Sequence, residues 1–248
     1  MKIIGMIPSR LNSKRLPRKA LTKICGMPLI AHVIHRAKLS TILDELYLVT
    51  DSEDIANVGK ACNCKVIMTS PNHETGSDRL GEAVIDLDAE IIVNIQGDEA
   101  LVRPEDINRS AKILMKKKDL EVSMLATNYT KKNNPSDIKV SLNSKNEIIH
   151  FSRSDISTQL NEASLKAYHL VSFRKNMLLK FCKLDQTEGE ILESIEYMRL
   201  IENEYKIGCE IIDSSAISVD TPEDLRLVDE MMKEDSLFPL YKNNSFKA

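Results

Sequence analysis

The chain has 248 residues, 42% of them hydrophobic and 29% charged, with a formal net charge of −3. That length accommodates one large α/β domain or a domain carrying an insertion, in a composition ordinary for a soluble protein. The slightly acidic balance excludes a generally basic nucleic-acid surface, no apolar run approaches the roughly 20 residues that span a bilayer, and an odd number of cysteines (five) does not make a disulfide framework.

In chain order, residues 3–7 (Ile3-Ile4-Gly5-Met6-Ile7) form a short apolar run bounded by Pro8, the pattern of a buried strand. One lysine precedes it and no small-residue cleavage signature follows, so no secretory signal is predicted and the cytoplasm is the expected compartment. Pro28 opens a helix whose face carries Leu29, Ile30, Val33, Ile34 and Ala37. Residues 45–50 read as a strand, Asp51 or Ser52 as the cap of a helix through Ala61, residues 65–68 as a strand and 77–85 as a helix. Residues 90–95 are an almost continuous β-branched run, the mark of a central parallel strand, and Pro104 starts a helix through Ile113 and Met115. Repeated βα units of this kind predict a parallel sheet with helices on both faces.

After about Lys116 the pattern changes. Residues 121–128, 138–142, 147–151 and 168–173 read as short strands joined by polar turns such as 131–135, which predicts antiparallel pairing. A single helix is predicted over 190–201, strands over 206–212 and 216–219, and a closing helix capped by Thr221 with Pro222 in its first turn. The division expected is one domain over 1–248: a βα half (1–116), an inserted antiparallel section (about 117–215), and a closing strand and helix (216–235).

Three segments carry chemistry. A loop directly after the first strand holds Arg10, Lys14, Arg15, Arg18 and Lys19. Cations that close repel one another, so the loop suits a polyanion. Asp98, in Gln96-Gly97-Asp98-Glu99, and Asp220, in Val219-Asp220-Thr221-Pro222, each follow an apolar run. In open α/β sheets ligands bind beyond the carboxyl ends of the strands, so all three segments are expected on one edge. Neither G-x-x-x-x-G-K-[ST] nor G-x-G-x-x-G is present, which excludes a P-loop and disfavours the usual dinucleotide site. A nucleoside triphosphate with Mg²⁺ accounts for a cationic loop and two carboxylates. Blander readings stay open for each residue alone: a solvated loop, a turn aspartate after Gly97, an aspartate preceding a helix cap. Cys62 and Cys64 lack the second pair a zinc site needs and read as buried thiols; His32 and His35, one turn apart, read as ordinary helix residues, and His73 as a surface residue beside the 75–79 segment.

Taken together, Ile7-Pro8-Ser9-Arg10, Ser13-Lys14-Arg15-Leu16-Pro17-Arg18-Lys19, Thr50-Asp51, Thr75-Gly76-Ser77-Asp78-Arg79, Asn94-Ile95-Gln96-Gly97-Asp98-Glu99, Phe151-Ser152-Arg153 and Val219-Asp220-Thr221-Pro222-Glu223-Asp224-Leu225 occur in one order. In that order they resemble the CMP-sugar synthetases, and within them the 3-deoxy-manno-octulosonate (Kdo) cytidylyltransferases. The resemblance implies a Rossmann-like, mostly parallel α/β fold of the nucleotide-diphospho-sugar transferase type. It implies transfer of CMP from CTP to a sugar acid with loss of pyrophosphate, for lipopolysaccharide or capsule, by a homodimer with neither nucleic-acid nor membrane partner. It further implies Arg10 and Lys19 on the CTP phosphates with Arg15 beside them, Ser77 and Arg79 lining the nucleotide, Asp98 and Asp220 on Mg²⁺, and Gln96, Arg153 and Glu196 near the sugar acid. Arg10, Lys19 and Asp98 are thereby the implied catalytic set.

The chain departs from the family's pattern in places. Arg18-Lys19-Ala20 stands for Gly-Lys-Pro. Aligned on Phe173-Arg174, the family's H-x-G-I-Y-G-Y-R has Ala167 in place of its His and Val171 in place of its first Tyr, with His169 two residues away; Tyr197 replaces the Gln of L-E-Q-L-R. The function expected is CMP transfer to Kdo or a Kdo-like acid, while an intact nucleotide half with an altered acceptor half suggests the same reaction on a different acid: a Kdo variant, another nonulosonic-type acid or a phosphonate. A nucleotide-binding module without catalysis is the alternative from another class.

Overall fold

The computed structural model describes residues 1–11, 13, 15–129, 134–156, 164–214 and 217–243. Lys14, part of the 131–135 turn, Ala216 and the last five residues lie outside them.

The elements run β1 (Ile3–Ser9), β2 (Lys23–Ile24), β3 (Met27–Pro28), α1 (Leu29–Ala37), β4 (Glu45–Thr50), α2 (Glu53–Ala61), β5 (Lys65–Met68), α3 (Gly76–Val84), β6 (Ile91–Asn94) and α4 (Pro104–Lys116). They continue with β7 (Val122–Tyr129), β8 (Lys139–Leu142), β9 (Glu147–Ser152), β10 (Ser164–Arg174), α5 (Lys175–Phe181), α6 (Glu188–Glu193), α7 (Met198–Glu202), β11 (Ile207–Ile212) and α8 (Pro222–Lys233). Nine strands form one sheet in the order β5-β4-β1-β6-β10-β7-β11-β9-β8; β2 and β3 make a separate hairpin. The pairs β4–β5, β1–β4, β1–β6 and β7–β11 are parallel, whereas β10 is antiparallel to both its neighbours β6 and β7. The mostly parallel α/β sheet is as expected, and the antiparallel strands extend that same sheet.

Alternation along β1 shows how the sheet is covered. Ile3 and Ile7 join one apolar cluster with residues of α1, α2, α4 and α8; Ile4 and Met6 join the other with residues of α3, α5 and α7. Both faces are therefore buried, which is why β1 and β6 read as unbroken apolar runs. Cys62 and Cys64 are buried thiols, pushed by burial to about 12 and about 11.

Two predicted elements are corrected. The helix expected over 190–201 is two short helices, because Ser194 adopts a left-handed backbone (φ 53°) that ends α6. Residues 217–219 are not a strand: they run outside the sheet, attached where the Val219 N–H donates to the Asp98 carbonyl at 3.0 Å. Helix α5 and the β2–β3 hairpin, whose turn residues Cys25 and Gly26 both have positive φ, were not predicted.

His32 is fully buried on α1. Its Nε2 lies 2.8 Å from the Ile24 carbonyl and its Nδ1 3.1 Å from the Tyr241 hydroxyl. A carbonyl only accepts, so Nε2 carries the proton and Nδ1 accepts from the tyrosine. Burial lowers the imidazole to about 4 from an ordinary 6.5. With the folded value depressed, the unfolded chain binds the extra proton between these limits. Stability is therefore complete above pH 6.5 and falls as pH drops toward 4, by on the order of 3 kcal/mol from this group. Urea midpoints measured from pH 7 to pH 4.5 are expected to fall less steeply for His32→Phe than for the wild type; parallel slopes would refute the assignment.

Candidate active site

The carboxyl ends of β1, β4, β5 and β6 open onto one edge of the sheet, where three stretches distant in sequence converge. Lys19 Nζ donates to Asp98 Oδ2 at 2.7 Å and to Asp220 Oδ1 at 2.8 Å. Arg15 Nη2 meets the other oxygen of Asp220 at 2.9 Å. Burial works against the Lys19 ammonium, but the two carboxylates outweigh it and hold it above the ordinary lysine range. Burial likewise opposes Asp220 ionisation, and Lys19 with Arg15 reverses this, so Asp220 lies below the usual carboxylate range.

Local backbone features put these groups within reach. Gly97 passes so close to β1 that a Cβ there would lie 2.7 Å from the Pro8 carbonyl oxygen, so only glycine brings Asp98 this near the cationic loop. Val219 bonds to the Asp98 carbonyl and fixes Asp220 alongside it. Thr221 and Asp224 form a reciprocal capping box at the start of α8, holding the backbone that follows Asp220. At the departure Arg18-Lys19-Ala20, Arg18 takes a left-handed conformation (φ 56°, ψ 29°), the backbone that glycine adopts freely. The turn that presents Lys19 therefore has a glycine-like shape even with arginine in it, at a cost of ~1–2 kcal/mol.

Two cavities meet at the paired aspartates. The first, about 440 Å³, is lined by Arg10, Ser13, Arg15 and Lys19 from the loop, by Thr75, Gly76 and Arg79 from the α3 region, and by Gln96, Asp98 and Asp220. Arg10 is exposed at it. Arg79 is buried, tied to Asp51 Oδ2 (2.9 Å) and Thr69 Oγ1 (2.6 Å), and so braces the ends of β4 and β5. His73 also lines this cavity, half-buried and bonded to Glu82. Ser77 does not line it: its hydroxyl points into the protein and donates to Glu196 Oε1 at 2.9 Å.

The second cavity, about 630 Å³, shares Arg15, Gln96, Asp98 and Asp220 with the first and adds Glu99, Asp137, Arg153, Lys166, Ala167 and His169. Arg153 reaches back from its wall, donating from Nε to the Glu193 carbonyl (2.6 Å), from Nη1 to that of Pro135 (2.9 Å) and from Nη2 to that of Ser194 (3.0 Å). Lys166 pairs with Asp137 at 2.5 Å. Burial, then the neighbouring Asp98 charge, pushes Glu99 up to about 8. Glu196 lines neither cavity; it lies behind them on Ser77, its carboxyl raised by burial against the effect of that bond.

Sequence reasoning passed over Lys139. Its side chain is only 1% exposed, yet its ammonium donates to the carbonyls of Asn134 (2.9 Å), Asp137 (2.9 Å) and Arg153 (2.5 Å) and pairs with Asp155 at 3.6 Å. A lysine in an antiparallel strand gives no signal that it will knit two loops of a cavity together. His169 and Lys166 were similarly unassigned, being separated in sequence from the other cavity residues.

A family model described as cytidylyltransferase matches residues 4–207. A 3-deoxy-manno-octulosonate cytidylyltransferase of a Nitratiruptor species is 37% identical over 90% of this chain and 97% of its own length. The enzyme of that name from Bdellovibrio bacteriovorus is 34% identical over 96% of this chain and 100% of its own. Among solved structures, a CMP:2-keto-3-deoxy-manno-octonic acid synthetase complexed with CTP superposes with a TM-score of 0.90 at 32% identity, covering 94% of this chain and 99% of that one. A 4-diphosphocytidyl-2C-methyl-D-erythritol synthase from Anaerococcus prevotii shares the fold, with a TM-score of 0.66 at 12% identity. By the extent of the family match and the identity to these relatives, the chain is a member of the cytidylyltransferase family and a nucleotidyltransferase.

Proposed function

We propose that this chain transfers CMP from CTP to a hydroxyl of Kdo and releases pyrophosphate, supplying the activated sugar for lipopolysaccharide or capsule. The observation that carries the reading is the convergence of Lys19, Asp98 and Asp220 where two cavities join. The solved relative complexed with CTP, and curated relatives that act on Kdo by name, supply the substrates. CTP would lie in the first cavity with its phosphates on Arg10, Arg15 and Lys19, and the acid in the second, near Gln96, Arg153 and Lys166. The acid's hydroxyl oxygen then attacks the α-phosphorus, the bond from that phosphorus to the bridging oxygen breaks, and the hydroxyl proton passes to solvent. Such transfers depend on positioning and on neutralising phosphate charge, so no covalent enzyme intermediate is needed.

The donor set fits Mg²⁺. Both aspartates present an oxygen within 2.8 Å of one cationic centre, the Lys19 ammonium, which marks where their carboxylates converge. Among the described residues no third carboxylate, histidine or cysteine joins them, which suits a hard ion completing its shell with nucleotide oxygens and water. Asp98 and Asp220 would hold it, and when bound it polarises the α-phosphoryl oxygen and makes the attacking hydroxyl more acidic. The flexible stem of Lys19 lets its ammonium exchange carboxylate for phosphate as charge builds on the departing pyrophosphate.

All five cysteines are free, which supports a reducing compartment and so a cytoplasmic reaction. Elements of the antiparallel section leave Ile149, Ile191, Leu192 and Ile211 exposed, which supports a homodimer formed through that section.

Four measurements test the reading. Pyrophosphate release from CTP with Mg²⁺ is expected with Kdo, assayed beside other nonulosonic acids and phosphonates because Ala167, Val171 and Tyr197 depart from the family pattern. On the preferred acid, Asp98→Asn should lower turnover at least ~100-fold, as loss of a key electrostatic group does; near-normal turnover would remove Asp98 from the metal. Lys19→Ala should raise the KM for CTP by about tenfold or more, the size of a lost charge-assisted hydrogen bond; unchanged CTP kinetics would take Lys19 off the phosphates. Sedimentation at micromolar concentration should give twice the 28.0 kDa chain mass, and a monomer alone would refute the dimer.

A further inference from the structure

The second cavity contains a side chain whose hydrogen-bonding capacity is not engaged. Strand β10 pairs with β6 up to Val171↔Asn94, then parts from it as β6 ends. Beyond that point Ala167 and His169 of β10 line the second cavity together with Gln96 and Asp98. On its other edge β10 pairs with β7 irregularly: the ladder jumps from Tyr168↔Leu125 to Val171↔Met124, leaving His169 and Leu170 as an extra pair of residues in a bulge. Bulges re-aim side chains, and here His169 lines the cavity beside Ala167.

Most charged groups around it are committed. Arg153 is spent on three backbone carbonyls, Lys166 on Asp137, and Arg15 and Lys19 on the aspartates. The His169 imidazole and the Gln96 amide have no hydrogen-bond partner among the described residues. The imidazole is held in place by packing: its ring lies 6.5 Å from Tyr197, which itself stacks against Phe181 at 6.3 Å. Tyr197 thus makes an aromatic floor under the histidine. Burial keeps the imidazole neutral, at about 4, so it offers one N–H and one lone pair, the complement of a hydroxyl rather than of a carboxylate.

We propose that His169 is a specificity-determining residue that hydrogen-bonds a hydroxyl of the acceptor acid, on the part of the sugar away from the attacking oxygen. His169 lines the second cavity alone, whereas Asp98 lines both, so it stands on the acceptor side of the junction where the attacking oxygen must meet the nucleotide. A polyhydroxylated acid reaches both points at once; a small acid or simple phosphonate does not. The proposal rests on the second cavity being the acceptor site, and it assigns the sugar's hydroxyl pattern to a histidine and its tyrosine floor.

The test is steady-state pyrophosphate release from CTP with Kdo and with analogues each lacking one hydroxyl, for wild type, His169→Ala and His169→Gln. The wild type should lose about tenfold in kcat/KM on one distal deoxy analogue, the size of one lost hydrogen bond within a binding site. His169→Ala should lose about as much on Kdo itself, through the KM for the acid with the KM for CTP unchanged, and should no longer distinguish that analogue. His169→Gln, which keeps a donor and an acceptor, should recover part of the discrimination. Turnover of Kdo with the same acid KM and the same analogue ranking in His169→Ala would overturn the role of His169 while leaving the acceptor site standing. Absence of acid-dependent turnover in the wild type would overturn the acceptor reading, and this proposal with it. Should His169→Ala fail to bind CTP, the wild-type analogue ranking and His169→Gln decide: no penalty on any distal deoxy analogue, or a glutamine variant with no discrimination left to recover, would each overturn it.

Discussion

One ammonium shared by two carboxylates holds the site together. Lys19 is 79 residues from Asp98 and 201 from Asp220, yet one Nζ contacts both. Two carboxylates this close repel when both are charged, and each is costly to bury without a partner. The lysine removes both penalties and ties the loop after β1 to the end of β6 and to the segment before α8. Because β1 and β6 are parallel neighbours, their carboxyl ends already lie side by side, and the lysine closes a short gap. The third stretch, 217–219, has no place in the sheet; its attachment to Asp98 and the capping box after Asp220 substitute for strand pairing.

The two cavities are built from different materials, and that difference bears on how each can change. The first is made by a loop and strand ends braced through buried ion pairs such as Arg79–Asp51, and its cations have one common task, which is to meet phosphate. The second is assembled through main-chain carbonyls. Lys139 gathers those of Asn134, Asp137 and Arg153, and Arg153 gathers those of Glu193, Pro135 and Ser194. Carbonyls are present whatever the side chain, so a scaffold held this way tolerates replacement of the side chains that face the ligand. That is a physical reason for the departure at Ala167, which lines this cavity, to be tolerated; Val171 and Tyr197 are buried and line neither cavity.

The parts of this arrangement legible in the sequence are those with a local cause. The ends of β4 and β5 coincide with their apolar runs, and the Thr221 cap with Pro222 in the first turn announces α8. Arg10 and Asp98 were legible because each lies just past a buried strand, so that its place at the sheet edge follows from the direction of the strand; Lys19, far along the loop after β1, and Asp220, after a stretch that is not a strand, were legible only through their motifs. The helix predicted over 190–201 failed for a reason that periodicity cannot report: Ile191, Ile195 and Met198 are in phase, but Ser194 turns left-handed, and Ile191 stays in solvent at 63% exposure while Ile195 is buried. Ser77 was placed by its motif beside the nucleotide, whereas its neighbours Thr75 and Gly76 face the cavity and Ser77 itself turns inward to Glu196. Position within a motif specifies the backbone; it does not specify which side of a helix terminus meets the ligand.

The inward pair Ser77–Glu196 joins the two halves. Ser77 belongs to the first turn of α3, whose start lines the nucleotide cavity, and Glu196 belongs to the link between α6 and α7. The same link carries Ser194, whose carbonyl receives Arg153 from the acceptor wall, and Tyr197, the floor beneath His169. Three contacts thus run from a four-residue segment: the Glu196 side chain to α3, the Ser194 carbonyl to Arg153, and the Tyr197 ring to the bulge of β10. The left-handed Ser194 that breaks the predicted helix is therefore what frees these four residues to face three ways: an unbroken helix over 190–201 would direct Glu196 and Tyr197 about 100° apart around a single axis and leave the Ser194 carbonyl bonded within the helix, out of reach of Arg153.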